Sequence, residues 1–225
     1  MVTADAIMEG VSPARSSRAV ATSADRVTRA IDVVVCLVAL AILLPFAVIV
    51  AVAIKLQDGG PILFGHMRIG RDGRLFRCWK FRSMVVNAEQ RLAALLARDP
   101  AARAEWEADH KLRNDPRITW LGHFLRKSSI DELPQLINVL RGEMSLVGPR
   151  PVVQAEALRY GRYFREYCAV RPGITGLWQV MGRNDVSYRR RVALDVAFVR
   201  SQSVSLYLTI LILTVPAVFS RNGVY

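Results

Sequence analysis

What this chain has little of narrows its chemistry first. Its three cysteines, Cys36, Cys78 and Cys168, lie far apart with no CxxC pair. That excludes a disulfide framework and a thiolate zinc site, and it points to a reducing, cytoplasm-facing environment. The three histidines, His66, His110 and His123, are equally scattered and read as structural residues. Acidic residues are also scarce, 19 against 31 lysines and arginines, which leaves a net charge of +12. A field of that sign suits nucleic acid, anionic lipid headgroups or a phosphorylated substrate. No nucleic-acid-binding signature accompanies the charge, and a nucleic-acid binder would leave the apolar segments unexplained. No internal repeat is visible.

Long apolar runs number only two. Hydrophobic residues make up 52% of the chain, and the excess is concentrated in Ala30 to Ile54 and in Val204 to Phe219. The first run has Asp32 as its one charge and exceeds the roughly 20 residues that a bilayer crossing needs. Its apolar core is too long for a signal peptide, and no small-x-small cleavage site follows. Pro45, past its middle, removes a backbone donor and should kink a helix. Arg15, Arg18, Arg26 and Arg29 precede the run, and Lys55, Arg68, Arg71 and Arg74 follow it. A crossing helix should have one basic flank, so this symmetry argues for re-entry at Pro45. On pattern alone, re-entry and crossing both stay open. The second run is short for a span and contains Pro216, which suits a helix at the interface or packed on the domain.

Three regions follow: a disordered basic arm over 1–24, a membrane helix over 25–56 broken at Pro45, and a cytoplasmic catalytic domain over 57–225. Within the last, Ile62–Phe64 and Leu75–Phe81 read as strands joined by a Gly70–Gly73 turn. Asn87 to about His110 reads as one exposed amphipathic helix. Ser129 stands three residues before Glu132, a capping-box spacing for a helix ending at Gly142. Val186 to Arg200 reads as a charged helix. The expected fold class is α+β and mainly helical, with a short β-hairpin and interfacial amphipathic helices.

The candidate chemistry lies in four places. Asp131 and Glu132 are adjacent carboxylates; such a pair suits Mg²⁺, and an aspartate can also act as a nucleophile toward phosphorus. Lys80 and Arg82 alternate along one strand face, where they could line a diphosphate pocket. Arg150 is held between Pro149 and Pro151, and its guanidinium can fork onto a phosphate. Trp178 and Gln179, with Arg183 beyond them, form a loop able to stack on a base and bind phosphate. Each has a plain reading too: helix capping, a basic surface, a rigid turn, a buried tryptophan. Taken together they favour phosphoryl chemistry.

Several long motifs now stand in order: Lys80-Phe-Arg-Ser-Met84, Asp115-Pro-Arg-Ile-Thr119, Ser129-Ile-Asp-Glu-Leu-Pro-Gln-Leu136, Asn138, Met144-Ser-Leu-Val-Gly-Pro-Arg-Pro151 and Arg171-Pro-Gly-Ile-Thr-Gly-Leu-Trp-Gln179. Through them the chain, from about Arg26 to Tyr225, resembles the bacterial sugar transferases, the monotopic phosphoglycosyl transferases, and in particular the exopolysaccharide-initiating type. The resemblance implies transfer of a sugar 1-phosphate, glucose or galactose, from a UDP-sugar to polyprenyl (undecaprenyl) phosphate with release of UMP. It implies Asp131 as the nucleophile that carries the phosphosugar, Glu132 with Asp131 at Mg²⁺, and Arg150 on phosphate. It further implies a re-entrant helix broken at Pro45, membrane lipids as partners and residence at the bacterial inner membrane, with the catalytic domain on the cytoplasmic face. A homodimer at the interface fits this reading. Some members carry a large N-terminal membrane region that these 225 residues do not include. The family's acidic and basic residues after its Ser-Leu-aromatic motif are replaced by Thr209 and Leu211. The alternative is a catalytically silent membrane scaffold of a polysaccharide assembly complex; a scaffold has no need of Lys80, Asp131, Glu132 and Arg150 together.

Overall fold

A 36-residue helix, α1 (Ser23–Asp58), leads the architecture. The computed structural model describes residues 23–109, 112–182 and 186–219, so most of the expected basic arm lies outside the described residues. Pro45 sits inside α1, and the helix continues through it. Only 11% of its most apolar window is buried. By length and composition it is the one helix, among the described residues, able to cross a bilayer.

A hairpin follows, β1 (Leu63–Ile69) and β2 (Leu75–Phe81). A single 3₁₀ turn over Arg71–Gly73 joins the strands, with Asp72 at φ 58° and Gly73 at φ 73°. The first strand is longer than its apolar pattern suggested. The expected single helix from Asn87 is two, α2 (Ala88–Arg98) and α3 (Pro100–Asp109). The reason is Asp99-Pro100: proline restricts the residue before it, and Asp99 is extended (φ −120°, ψ 103°). Its carboxylate then accepts from the amides of Ala101 and Ala102, at 2.9 and 3.1 Å, and caps the second helix.

Next come α4 (Trp120–Lys127), a 3₁₀ turn at Ile130–Glu132 and α5 (Gln135–Leu140). β3 (Ser145–Val147) and β4 (Gly173–Thr175) pair in parallel, with Ser145 opposite Gly173 and Val147 opposite Thr175. Between and after them lie α6 (Gln154–Tyr160), α7 (Phe164–Cys168), α8 (Leu177–Met181), α9 (Tyr188–Arg200) and α10 (Val204–Phe219).

Contacts divide the chain into two compact units. The larger comprises α1 up to Leu44, Gly65–Trp79, and the chain from Pro134 onward. Its main core gathers Cys36, Phe76, Cys78, Val139, Met144, Phe198 and Ile210. Asp32, fully buried, ties α1 into that core. Its Oδ1 accepts from the Leu146 amide at 2.7 Å and from Tyr207 Oη at 2.6 Å. A second cluster packs Phe164 and Tyr167 as stacked rings beside Tyr160, whose hydroxyl donates to buried Asp195 at 2.7 Å.

The smaller unit comprises Pro45–Phe64 and Lys80–Leu133. Its core is Val50, Ile54, Phe81 and Leu125, so the second half of α1 is packed by the end of β2 and by α4. All three cysteines are buried and free.

Candidate active site

The acidic pair is built entirely within the smaller unit. Thr119 caps α4, its Oγ1 accepting from the Gly122 amide at 2.9 Å. Ser83 receives the same helix. Its carbonyl accepts the Thr119 amide at 3.1 Å, and its Oγ accepts Arg126 Nε at 2.8 Å. Two sequence landmarks therefore meet as structure: Met84 and Ile118 form an antiparallel bridge, with the Val85 amide on the Arg117 carbonyl at 2.9 Å. Gly122 permits the approach, because a Cβ there would stand 1.9 Å from the Ser83 carbonyl oxygen.

Helix α4 ends at Ser128, and Ser129 turns the chain with φ 58° and ψ 15°, the left-handed region that a serine seldom enters. This corrects the expected capping box. Ser129 closes α4, its amide on the Arg126 carbonyl at 3.2 Å, and its side chain caps nothing. Asp131 and Glu132 consequently sit on a separate 3₁₀ turn rather than in the first turn of α5, which begins after Pro134.

Asp131 is 7% exposed. Lys80 Nζ lies 2.5 Å from Glu132 Oε1 and 3.8 Å from Asp131 Oδ2. Burial pushes the Asp131 carboxyl up to about 6; Lys80 pulls it down, Glu132 pushes it up again and Arg126 opposes both upward influences. At neutral pH the group is therefore largely ionised and only partly solvated, the condition of a competent carboxylate nucleophile.

Arg126 was missed in the sequence; a basic residue one helical turn before a carboxylate pair has no distinctive pattern. Burial and Arg117 hold its pKa down, while Asp131 and Asp115 draw it up. The Asp115 carboxylate is taken by Arg117, at 2.8 Å from Nε and 2.6 Å from Nη2, and that pairing keeps its pKa below the ordinary range despite burial.

Arg82 is placed differently from Lys80, two residues away. Its side chain is 6% exposed and makes a two-pronged ion pair with Asp58 at the end of α1, one arm at 2.7 Å. The described guanidinium is thus committed to the scaffold, and its expected phosphate-binding role has no support in this geometry.

Arg150, Trp178 and Gln179 belong to the larger unit. Arg150 is exposed between two buried prolines, and the Pro149 carbonyl accepts the Gly173 amide at 2.8 Å. Trp178 is 4% exposed, and the Arg191 guanidinium covers its ring at 4.6 Å, so that face is not open to a base. Gln179 Nε2 donates to the Ile174 carbonyl at 3.0 Å. Arg183 lies outside the described residues.

Among the described residues no group of three or more His, Cys, Asp or Glu side chains could hold a metal by itself. Asp131 and Glu132 still fit Mg²⁺ in the form it usually takes, one or two carboxylates completed by water and substrate phosphate oxygens.

With this geometry in hand, comparison with known proteins is informative. Residues 23–221 match the family profile described as bacterial sugar transferase. A UDP-galactose-lipid carrier transferase of Erwinia amylovora is 53% identical over 88% of this chain and 41% of its own length. An undecaprenyl-phosphate galactose phosphotransferase of Salmonella typhimurium is 56% identical over 75% of this chain and 36% of its own. The exopolysaccharide production protein ExoY of Sinorhizobium fredii is 48% identical, covering 88% of this chain and 87% of its own. The chain thus spans about two fifths of the first two relatives and most of the third.

Proposed function

Because this chain belongs to the bacterial sugar transferase family, we propose that it transfers a sugar 1-phosphate from a UDP-sugar to undecaprenyl phosphate, releasing UMP, as the first membrane step of exopolysaccharide synthesis. The observation that carries this reading is the Asp131 carboxylate, buried yet ionisable near neutrality, with Lys80 beside it and Glu132 adjoining.

In the first half-reaction an Asp131 oxygen attacks the sugar-bearing phosphorus. The bond to the bridging oxygen breaks, and UMP departs with that oxygen. In the second, a phosphate oxygen of the polyprenyl acceptor attacks the same phosphorus, and the Asp131 carboxylate leaves. Lys80 holds Asp131 deprotonated and Glu132 oriented; Arg126 adds positive charge beside the nucleophile. Mg²⁺, held through Glu132 and Asp131, would offset diphosphate charge when bound. Arg150, in the larger unit, keeps the phosphate-binding role that the family resemblance implies. Galactose is favoured over glucose, because the two relatives above named for galactose are 53% and 56% identical to this chain, against 42% and 37% for two relatives named for glucose.

The acceptor's phosphate cannot leave the lipid surface, so the nucleophile must work there. Helix α1 provides the membrane element, and its basic flanks support re-entry with both ends on the cytoplasmic face of the inner membrane. Trp120 and Phe124, four residues apart on α4 and 86% and 53% exposed, give the smaller unit an apolar edge suited to the interface. The test is UMP release by the membrane-embedded chain with Mg²⁺ and undecaprenyl phosphate across a panel of UDP-sugars. The expected result is the fastest release from UDP-galactose; no release from any UDP-sugar would refute the proposal.

A further inference from the structure

At the start of α1, within the larger unit, a cleft is lined by Asp25, Arg26, Arg29, Arg71 and Arg171. Four guanidiniums face one carboxylate, and their duties differ. Arg29 is fixed as a helix cap, its nitrogens 2.5 and 2.8 Å from the Val139 and Leu140 carbonyls at the end of α5. Arg71 makes a long contact of 3.7 Å with Asp25. Arg26 and Arg171 form no hydrogen bond or ion pair among the described residues. Arg171 is half-buried, and burial together with repulsion from Arg29 and Arg71 holds its pKa below the usual range, with Asp32 and Asp25 opposing. Half-burying the Arg171 guanidinium among like charges is costly unless an anion joins it.

The cleft's level in the fold identifies the anion's source. Apolar sequence begins one turn beyond Arg26 on α1, with Val34, Leu37 and Val38 exposed. Helix α10 starts at the same level. Ser203, just before it, lines an adjoining cleft that shares Asp25, Arg71 and Arg171, and Tyr207 in its first turn bonds Asp32 of α1. Beyond that level α10 exposes Ile212, Leu213 and Val215. Helix α1 therefore departs from the arginine cleft and α10 from the adjoining one that shares Asp25, Arg71 and Arg171, an arrangement that sets a lipid's phosphate beside cations and its chains along apolar helix surface. The adjoining cleft adds Thr28, Gln202 and Ser203, polar groups suited to the hydroxyls of a glycerol headgroup.

We propose that this cleft is a binding site for the phosphodiester of an anionic phospholipid, gripped chiefly by Arg26 and Arg171. The proposal rests on the membrane-surface part of the functional reading and requires neither the sugar donor nor the covalent step. The test uses the full chain in a non-ionic detergent, titrated with phosphatidylglycerol, phosphatidylcholine, inorganic phosphate or undecaprenyl phosphate. Bound lipid is read by native mass spectrometry and stabilisation by thermal unfolding. Phosphatidylglycerol should bind and raise Tm where phosphatidylcholine and inorganic phosphate do not. Each arginine near a lipid surface is worth about fivefold in affinity, so R26Q/R171Q should bind roughly 25-fold more weakly. R26Q alone, on the exposed first turn of α1, should weaken binding about fivefold and serves if the double variant does not fold. Equal binding of phosphatidylcholine, or an unchanged affinity in R26Q, would overturn the proposal. Stabilisation by inorganic phosphate, or displacement of phosphatidylglycerol by undecaprenyl phosphate, would reassign the cleft to a free anion or to the acceptor and would equally overturn it. Because no sugar donor is present, failure here is distinct from failure of the transferase reading.

Discussion

Replacing Lys80 with methionine removes the ammonium held between the two carboxylates of the site while keeping the length and apolar stem of the side chain. The Nζ to Asp131 Oδ2 distance is 3.8 Å. At that separation the pair is worth about 1 kcal/mol in bulk water and about 4 kcal/mol at an effective dielectric near 20. Lys80 and Asp131 are 30% and 10% exposed at the side chain, so their environment lies between those limits. The loss corresponds to roughly one to three pK units on Asp131. From its value of about 6, the carboxyl should then titrate near or above neutrality, and the freed negative charge of Glu132 pushes the same way. In the wild type about nine-tenths of Asp131 is ionised at pH 7; in K80M the fraction falls to roughly half or much less. UMP release measured from pH 5.5 to 9.5 at fixed Mg²⁺ should show an acid limb displaced to higher pH, a roughly 2- to 100-fold loss at pH 7, and recovery in alkali. Lys80→Arg should keep the limb near its original place. An acid limb still near 6 in K80M, with a uniformly lowered plateau, would refute the electrostatic account of Lys80.

Gly122→Ala should lower Tm and UMP release together, since a Cβ 1.9 Å from the Ser83 backbone forces α4 away and breaks the Arg126–Ser83 contact. Overpacking of this kind costs about 1–3 kcal/mol. Asp58→Asn should destabilise the protein by about 1–2 kcal/mol at pH 7, read as a lower Tm, by leaving the Arg82 guanidinium half-satisfied. Arg82 lowers the Asp58 pKa, so this contribution is present above the unfolded carboxylate value near 4 and is lost as pH falls through the depressed folded one. The difference between the two proteins should therefore shrink in acid. Accessibility tags at the N-terminus and after Asp58 should both report from the cytoplasm; tags on opposite faces would replace re-entry by a crossing.

The parts of this molecule that were legible in advance are those with strong local grammar. Gly70 to Gly73 between apolar strands specified a hairpin, Gly142 at φ 77° closed its helix, and the ends of α1 lie close to those its composition set, although the helix runs on through Pro45 where a break was expected. The juxtaposition of Lys80 with Asp131 and Glu132 was not foreseen, because no short-range pattern brings residues some fifty positions apart together. Other features turned on tertiary competition. Ser129 had the spacing of a capping box, but closing α4 in a left-handed conformation prevailed. Arg82 shares the strand face of Lys80, yet Asp58 at the end of α1 claimed its guanidinium. Trp178 suggested a stacking platform for a base, and a covering arginine on α9 occupies that face instead. The β3–β4 pair was not foreseen, since three-residue strands joined in parallel across a long crossover leave too little periodicity to read.

The central claim is that Asp131 carries the phosphosugar. Its most direct test is to incubate the full chain with Mg²⁺ and UDP-galactose without acceptor, quench in acid, and determine the mass of the peptide containing Asp131. The account predicts one added hexose-1-phosphoryl group on that peptide, discharged when undecaprenyl phosphate is supplied and absent in Asp131→Asn. Turnover with acceptor but no adduct on that peptide, or an adduct that persists in Asp131→Asn, would contradict it.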